Sequence, residues 1–495
     1  MSYALSQQQW LELSEDDKTR LEKALTVRIE APIIHNKNKT ARRFAAPPRE
    51  MTAWRHHASC NTVATPLAWT RLFLGDKFHR RSRAAFAAMN VSDEQHAQGV
   101  FVQLREPQRV IVQEVLQLWR QQDGTALLAV YPGCGKTVMS IVLAWMLRLK
   151  TMILVHRLVL MDQWVETIHR CLGKDRVRVQ VLTPANDLDP SCDMFVMNAL
   201  NVPKFPVTVF RDIGFLIVDE CHLLLAEQLV QSLAFFFPRY LLGLSATPYR
   251  RDGLDALFDY FFGAGRVQRA LQCPHDVWCI RTSFVMPHVL TRQGQLDWNA
   301  LLHAQSFHDD RNARLVDLVM AEAPRRSGVL VLCKRVDHVK ALRQRFLLRG
   351  FDAVAAFTSA QRSFDTDAKV LLTTFQKVGV GFSHDKMDML VLACDVEEYF
   401  LQYLGRVFRR PDQRPLVVDI VDDHPVLRKH FATRRRVYRA CTAPAAASCP
   451  FPRLGNDAYS SDSTDTLCCS VMCVMARIIM SLTTAHANVA HKTTG

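Results

Sequence analysis

The sequence has no paired cysteine spacing, no leader-like start and no apolar run of membrane-spanning length. Its 14 cysteines are scattered, without a regular disulfide framework, which favours reduced thiols in an intracellular protein. Met1 to Asp17 carries glutamines and acids where a signal peptide needs a basic and then an apolar stretch. Leu467 to Leu482 is apolar but short and interrupted by Arg477. We therefore expect neither secretion nor a membrane partner, and we favour a loose helix at 467–482 over an anchor.

Acidic residues are also in short supply. There are 48 against 62 basic residues, which gives a formal net charge of +14 and a pI near 9.3. An excess of positive charge suits a polyanionic partner such as nucleic acid, although it does not identify one. Basic clusters at Lys37 to Arg55 and Lys77 to Arg83 fit either a solvated face or a nucleic-acid accessory surface.

Two stretches alternate short apolar strands with helical patterns, and this predicts an α/β protein with two parallel sheets. A chain of 495 residues is long enough for several domains. We predict an accessory region at 1–100, a first sheet domain at 101–265, a connecting region at 266–305, a second sheet domain at 306–441 and a disordered tail at 442–495. Helical apolar spacing also marks Trp10 to Ile29 and Ala226 to Phe236.

A glycine turn joins an apolar strand to a helix in the first block. Its residues are Tyr131-Pro132-Gly133-Cys134-Gly135-Lys136-Thr137. Gly133 and Gly135 allow the backbone to curl so that N–H groups along the turn, Cys134 included, point at one anion at a helix N-terminus. Lys136 would neutralise the outer phosphates, and the Thr137 hydroxyl would hold a magnesium ion. The turn is typical of a phosphate-binding loop, except that Val130 occupies the position of its first glycine.

Two carboxylates follow the apolar strand that starts at Phe215. Asp219 is predicted to hold magnesium through water, and Glu220 to orient and deprotonate an attacking water. The pair comes about 80 residues after the glycine turn and within the same alternating block. Parallel sheets collect ligands at the carboxyl ends of their strands, so we expect these groups to share one site.

Together these motifs resemble the superfamily 2 helicases and translocases, and further motifs of that family occur in order. Leu104-Arg105-x-x-Gln108 resembles the adenine-recognition element, in which the Gln108 amide can pair with adenine. Val155-His156-Arg157 with Gln163-Trp164 resembles the motif that contacts the nucleic-acid backbone, and Arg157 is the predicted contact. Ser245-Ala246-Thr247-Pro248 resembles the motif that links hydrolysis to domain movement, so His222, Ser245 and Thr247 are assigned to coupling.

The second block carries the remaining motifs of the resemblance. Thr373-Thr374-Phe375-Gln376 to Gly381 resembles motif V, with Thr374 a predicted nucleic-acid contact and Ser383 where an aspartate is common. Gln402-x-x-Gly405-Arg406-x-x-Arg409 matches motif VI, which implies a coupling role for Gln402 and catalytic roles for Arg406 and Arg409. The Ser-Ala-Thr-Pro-x-Arg-x-Asp-Gly run and the Arg-rich helix at Arg434 to Arg439 look most like the branch of xeroderma pigmentosum group B, poxvirus transcript-release and large-DNA-virus or phage helicases.

The resemblance implies two tandem RecA-like domains with ATP and Mg²⁺ in the cleft between them. It also implies a DNA helicase of 3′ to 5′ polarity, with nucleic acid and replication or transcription proteins as partners. An RNA helicase, a transcript-release translocase without strong unwinding and a non-catalytic nucleic-acid scaffold stay open. The sequence does not distinguish nucleus, cytoplasm or virus-infected cell as the compartment.

Overall fold

A computed structural model of the chain describes residues 2–29, 49–79, 82–225, 230–246, 254–292, 294–358, 361, 364–379, 384, 386–396, 400–408 and 413–442. Thr247, Ser383, Arg409 and the tail from 443 to 495 lie outside these residues. The described residues form two compact units. The first contains those up to Leu271, and the second contains nearly all of those from Gln272 onward.

The N-terminal region of the first unit consists of two small antiparallel sheets and short helices. Its elements are β1 (Ser2–Ser6), α1 (Gln7–Leu11), α2 (Glu15–Leu25), β2 (Thr26–Ile29), β3 (Arg49–Thr52), β4 (Arg55–His57), β5 (Thr62–Pro66), α3 (Leu67–Leu74) and α4 (Asp93–Ala97). The strands pair in the order β1-β5-β4 and as β2-β3. The helical spacing predicted for Trp10 to Ile29 is therefore wrong at its end, because Thr26–Ile29 pairs with β3 as a strand.

A parallel sheet forms the centre of the first unit. Its strands are β6 (Thr125–Val130), β7 (Thr151–Val155), β8 (Val179–Leu182), β9 (Met194–Asn198), β10 (Phe215–Val218), β11 (Tyr240–Ser245) and β12 (Arg266–Arg269), in the order β12-β6-β11-β10-β7-β9-β8. Its helices are α5 (Glu106–Gln121), α6 (Lys136–Leu147), α7 (Leu158–Leu172), α8 (Cys221–Leu224) and α9 (Ala256–Phe262). The central strands are buried along their whole length, as expected when both faces of a parallel sheet are covered.

The two faces of this sheet have separate cores. One core contains Trp164 and the apolar face of α6, and the other contains the phenylalanines of α9 together with residues of the N-terminal region. The backbone N–H of Ser2 donates to the Phe236 carbonyl at 2.9 Å, which ties β1 to the segment after the 3₁₀ turn Gln231–Phe235. The N-terminal region is therefore packed onto the first sheet. Of the helix predicted at Ala226 to Phe236, residues 226–229 lie outside the described residues and Gln231–Phe235 form that 3₁₀ turn.

A second parallel sheet forms the centre of the second unit. Its strands are β13 (Asp276–Val285), β14 (Val329–Cys333), β15 (Val354–Phe357), β16 (Val370–Thr374), β17 (Met389–Leu392) and β18 (Leu416–Asp423), in the order β13-β18-β17-β14-β16-β15. Its helices are α10 (Trp298–Phe307), α11 (Asp309–Glu322), α12 (Val336–Leu348), α13 (Phe375–Gly379), α14 (Phe400–Val407) and α15 (Pro425–Cys441). The predicted α/β class with two tandem RecA-like sheets is confirmed.

The segment predicted as a connecting region, 266–305, contains an edge strand of each sheet. β12 pairs only with β6, and β13 pairs only with β18 among the described strands. The edge strand β12 has the sequence Arg-Val-Gln-Arg, and its single apolar residue does not form the run that marks a central strand. β13 carries the apolar run Val277–Ile280 but falls in the predicted connecting region, so the second sheet begins before residue 306.

The Arg-rich helix α15 is anchored by a buried ionic cluster. Arg434 donates from Nε and Nη2 to the two Asp419 oxygens at 2.8 and 2.9 Å, and from Nη1 to Asp395 Oδ1 at 2.7 Å. The Tyr438 hydroxyl also donates to Asp419, at 2.8 Å. These two carboxylates raise the pKa of Arg434 despite its burial. Arg434 therefore has a structural role, because its charge is buried and paired with these carboxylates.

Across the described ranges, no helix is long and apolar enough to span a membrane.

Candidate active site

The glycine turn lies between β6 and α6, at the carboxyl edge of the first sheet. Gly133 and Gly135 have φ values of 86° and 97°, in the left-handed region that non-glycine residues rarely adopt. Gly135 is also the N-cap residue of α6. A methyl group at Gly135 would lie 2.3 Å from Gln108 Nε2, so the backbone angle favours glycine and a larger residue would displace the Gln108 amide. The turn thus presents the N-terminus of α6 as an anion site.

Gln108 fastens the start of α5 to this turn. Its side chain is only 6% exposed; Nε2 donates to the Cys134 carbonyl at 2.8 Å, and Oε1 accepts from the Arg105 backbone N–H at 2.9 Å. An amide has two donor hydrogens and two acceptor lone pairs, so one of each is left over. The predicted adenine-reading residue is therefore held against the phosphate loop with part of its hydrogen-bonding capacity available.

Lys136 folds back over the turn. Its Nζ donates to the Val130 carbonyl at 3.2 Å, while the Val130 side chain is buried in the core at the end of β6. The side chain at position 130 therefore points away from the concave side of the loop. This arrangement explains how valine is accommodated where the motif usually has glycine. Thr137 is half-buried in the first turn of α6.

Asp219 follows β10 and is 9% exposed. Its Oδ2 accepts a hydrogen bond from the Trp164 indole N–H at 2.9 Å, and its Oδ1 accepts from the Glu220 backbone N–H at 3.0 Å. Burial and the negative charge of Glu220 raise the pKa of Asp219 to about 6. A cation beside two close carboxylates favours their ionised forms, so the local charge suits Mg²⁺.

Glu220 has a strained backbone and one carboxylate oxygen that lacks a hydrogen bond from the described residues. Its φ and ψ of 46° and 52° are left-handed, a conformation that costs a residue other than glycine on the order of 1–3 kcal/mol. Its Oε2 is buried, accepts no hydrogen bond from any described residue and lies 3.5 Å from His222 Nδ1. A buried carboxylate oxygen of this kind fits a residue that accepts its hydrogen bond from a bound water.

His222 connects this carboxylate to the end of β11. Its Nδ1 lies 3.0 Å from Ser245 Oγ, and both residues are buried. The two motifs that the sequence assigned to hydrolysis and coupling are therefore in direct contact. Thr247, the other predicted coupling residue here, lies outside the described residues.

The side chains that follow β7 differ in their exposure to solvent. Arg157 is exposed at the N-cap of α7, where a nucleic-acid phosphate could reach it. Burial, the Arg157 charge and the proximity of His222 lower the pKa of His156 to about 4, so this imidazole is neutral at pH 7. Trp164, which the resemblance grouped with the nucleic-acid motif, is 2% exposed and donates to Asp219. The indole therefore lies in the core beside Asp219, and the nucleic-acid contact predicted at Arg157 stays a prediction.

The predicted residues of the second unit lie on two of its elements. Gln402 and Arg406 are four residues apart on α14 and so share one helical face; Gln402 is buried and Arg406 is half-buried. Thr374 ends β16, is buried, and accepts a long hydrogen bond of 3.4 Å from the Lys377 N–H through its hydroxyl. Its role as a nucleic-acid contact stays a prediction. Arg409 lies outside the described residues.

The residues that could hold Mg²⁺ are few. Within the described ranges no group of three or more His, Cys, Asp or Glu side chains forms a metal site. Magnesium usually keeps several waters and binds one or two carboxylates together with substrate phosphates. Asp219 and Thr137 therefore fit an ion that arrives with a nucleotide.

Comparison with known proteins places the chain in a family. Residues 101–250 match the family model described as "Type III restriction enzyme, res subunit". The chain is 35% identical over 358 residues to "Putative helicase 161L" of Invertebrate iridescent virus 6, covering 68% of this chain and 81% of that protein. It is 34% identical to "Putative helicase 055L" of Frog virus 3 (isolate Goorha), over 81% of this chain and 89% of that protein.

Among solved structures, S. cerevisiae Dbp5 bound to RNA and ADP BeF3 aligns with 67% of this chain and 87% of that chain, at 14% identity and a TM-score of 0.48. That similarity is distant. The two viral relatives carry the assignment, because each is matched over most of its length at more than 30% identity. The chain belongs to the superfamily 2 helicases.

Proposed function

We propose that the chain is an ATP-dependent helicase or translocase that acts on nucleic acid, with DNA as the favoured substrate and 3′ to 5′ polarity. The single observation that carries the proposal is the contact series Glu220–His222–Ser245 beside the glycine turn. It connects the predicted catalytic base to the predicted coupling motif through buried side chains. The choice of DNA rests on the resemblance and on the net charge of +14.

The chemistry assigned to the first unit is hydrolysis of the γ-phosphate bond. The turn N–H groups and Lys136 would bind the phosphates, with the ammonium leaving the Val130 carbonyl for a phosphate oxygen. Glu220 would accept a proton from the water that attacks the γ-phosphorus, while the bond to the bridging oxygen of ADP breaks. Mg²⁺ held by Asp219 and Thr137 would neutralise charge on the phosphate oxygens.

The chemistry assigned to the second unit is stabilisation of the charge that develops on the transferred phosphoryl group. This role goes to Arg406 and Arg409 through the motif VI match, and it is typically worth on the order of 10³ to 10⁵ in rate. Gln402 shares its helical face with Arg406 and is assigned to coupling. Arg157 is the proposed phosphate contact of the first unit, because it is exposed at the start of α7.

Two assays on the purified chain test the proposal. The first measures ATP hydrolysis with and without single-stranded DNA or RNA, and we expect nucleic acid to increase the rate. The second measures strand displacement on matched DNA, RNA and hybrid duplexes with a 3′ or a 5′ tail, and we expect displacement of the 3′-tailed DNA duplex. Stimulated hydrolysis without displacement would identify a translocase, and displacement of RNA alone would identify an RNA helicase. Nucleotide binding without turnover would identify a non-catalytic scaffold.

A further inference from the structure

The Trp164 indole connects helix α7 to the candidate magnesium carboxylate. Trp164 lies two turns into α7, and its Nε1 donates to Asp219 Oδ2 at 2.9 Å. Both residues are buried, so water does not compete for either partner. A hydrogen bond to an ionised carboxylate in such surroundings is stronger than one between neutral groups.

This hydrogen bond restricts Asp219 in a specific way. The Glu220 N–H occupies Oδ1 and the indole occupies Oδ2, so both carboxylate oxygens have a fixed direction for their remaining lone pairs. A residue that orients a metal-binding carboxylate commonly changes metal affinity when it is removed, although it never touches the metal. Trp164 has this relation to Asp219.

The position of α7 gives the hydrogen bond a second consequence. The helix begins at Leu158, directly after the exposed Arg157, and its buried side carries Trp164. A helix is a stiff element, so a displacement at its first turn moves the indole donor two turns away. A nucleic-acid phosphate bound at Arg157 would therefore sit at the start of the helix that holds the donor to Asp219.

We propose that Trp164 is a positioning residue that orients Asp219 for Mg²⁺ and connects it, through α7, to nucleic acid bound at Arg157. The proposal rests on the proposed ATP-dependent function. It goes beyond that function because it assigns Trp164 to the metal and coupling chemistry and not to a contact with the strand.

The test variant is Trp164→Phe, which keeps an aromatic ring and removes the N–H donor. A matched control is Trp119→Phe, since Trp119 is also buried against the first sheet and its indole donates to the Leu241 carbonyl at 3.1 Å. The affinity of the full chain for a fluorescent ATP analogue is measured in Mg²⁺ and in EDTA. We expect the wild type and both variants to bind the analogue with similar affinity in EDTA. Mg²⁺ should increase the affinity of the wild type and of Trp119→Phe, and this increase should be about 10- to 100-fold smaller in Trp164→Phe.

A second readout separates the metal effect from the link to nucleic acid. At saturating Mg²⁺ and ATP, stimulation of hydrolysis by single-stranded DNA is expected to fall in Trp164→Phe and to stay normal in Trp119→Phe. In an Asp219→Ala background, Trp164→Phe should cause no further change in Mg²⁺-dependent nucleotide affinity. A normal Mg²⁺-dependent gain in Trp164→Phe, or an equal loss in Trp119→Phe, would overturn the positioning role. Unchanged stimulation would overturn the link to Arg157.

If Trp164→Phe does not fold, the wild-type chain labelled with 5-fluorotryptophan supplies the measurement. Among the ¹⁹F resonances of its 8 tryptophans, the one displaced by Asp219→Asn belongs to Trp164. It should shift when Mg²⁺ is added to the ADP-bound chain, and a fixed resonance would refute the proposal. A wild-type chain that binds no nucleotide in either Mg²⁺ or EDTA would instead refute the proposed function, and this inference with it.

Discussion

Replacement of Gly135 by alanine should weaken nucleotide binding strongly, and the structure separates two reasons. The left-handed φ of 97° costs an L-residue about 1–2 kcal/mol. The new methyl group would also lie 2.3 Å from Gln108 Nε2, so the amide must move and lose its 2.8 Å hydrogen bond to the Cys134 carbonyl. That loss costs about 1 kcal/mol.

Together these terms amount to about 2–3 kcal/mol, since the bound phosphates require the turn in its present shape. A turn without nucleotide can relax and avoid much of that cost, so most of it appears in the binding constant. We therefore expect the Kd for ATP in Gly135→Ala to rise about 30- to 150-fold. Isothermal titration calorimetry or fluorescence titration of the purified chain measures this Kd directly.

Two comparisons separate the cost of the left-handed backbone from the cost of the clash with Gln108. Gly350 has a φ of 72°, and a methyl group added there would meet no neighbouring atom within 4 Å, so Gly350→Ala should lower stability while leaving ATP affinity unchanged. In a Gln108→Ala background, Gly135→Ala should cost less than in the wild type, because the clashing amide is gone. A near-normal Kd in Gly135→Ala would refute the backbone argument. Fully additive effects of the two substitutions would refute the clash.

Three further predictions concern other parts of the molecule. Glu220→Gln should bind ATP but abolish turnover, since the amide cannot accept the proton of the attacking water; near-normal hydrolysis would remove Glu220 from this role. DNA binding should weaken steeply as salt rises, because phosphate contacts release counterions, and a flat response in filter-binding or anisotropy assays would contradict a phosphate-tracking site. Burial lowers the pKa of His338 to about 3, from 6.5 when unfolded, so stability is lost as pH falls below about 6.5. Between pH 7.5 and 5 this residue should account for a loss of about 2 kcal/mol in the free energy of unfolding measured with urea. His338→Gln should remove that part of the pH dependence, and an unchanged pH dependence would show that His338 is not its source.

Much of the fold could be predicted because its strongest signals are local. The central strands of both sheets are apolar runs, and the helices between them carry the helical period, so the α/β class followed from pattern alone. The glycine turn is also local, since its backbone angles depend on residues next to one another. Asp219 and Glu220 were placed at a strand end for the same reason.

The limits of this reasoning are equally physical. The edge strand β12 is partly exposed and has one apolar residue, so it lacks the apolar run that marks a central strand. The strand Thr26–Ile29 takes its conformation from pairing with β3, a partner some twenty residues away in the chain. Such pairing overrides the local helical spacing, because strand hydrogen bonds are made between segments that the sequence does not bring together.

By itself, the sequence determined which chemical groups this protein carries and the order in which they follow the strands. Local backbone geometry and the period of apolar residues are sufficient for that. Only the tertiary structure decided which groups meet: the Gln108 amide with the Cys134 carbonyl, His222 with Ser245, and the Trp164 indole with Asp219. These contacts join residues that are 26, 23 and 55 positions apart, and they depend on the pairing order of the sheet. A linear pattern contains no record of that order, and this is why the role of Trp164 emerged only from the fold.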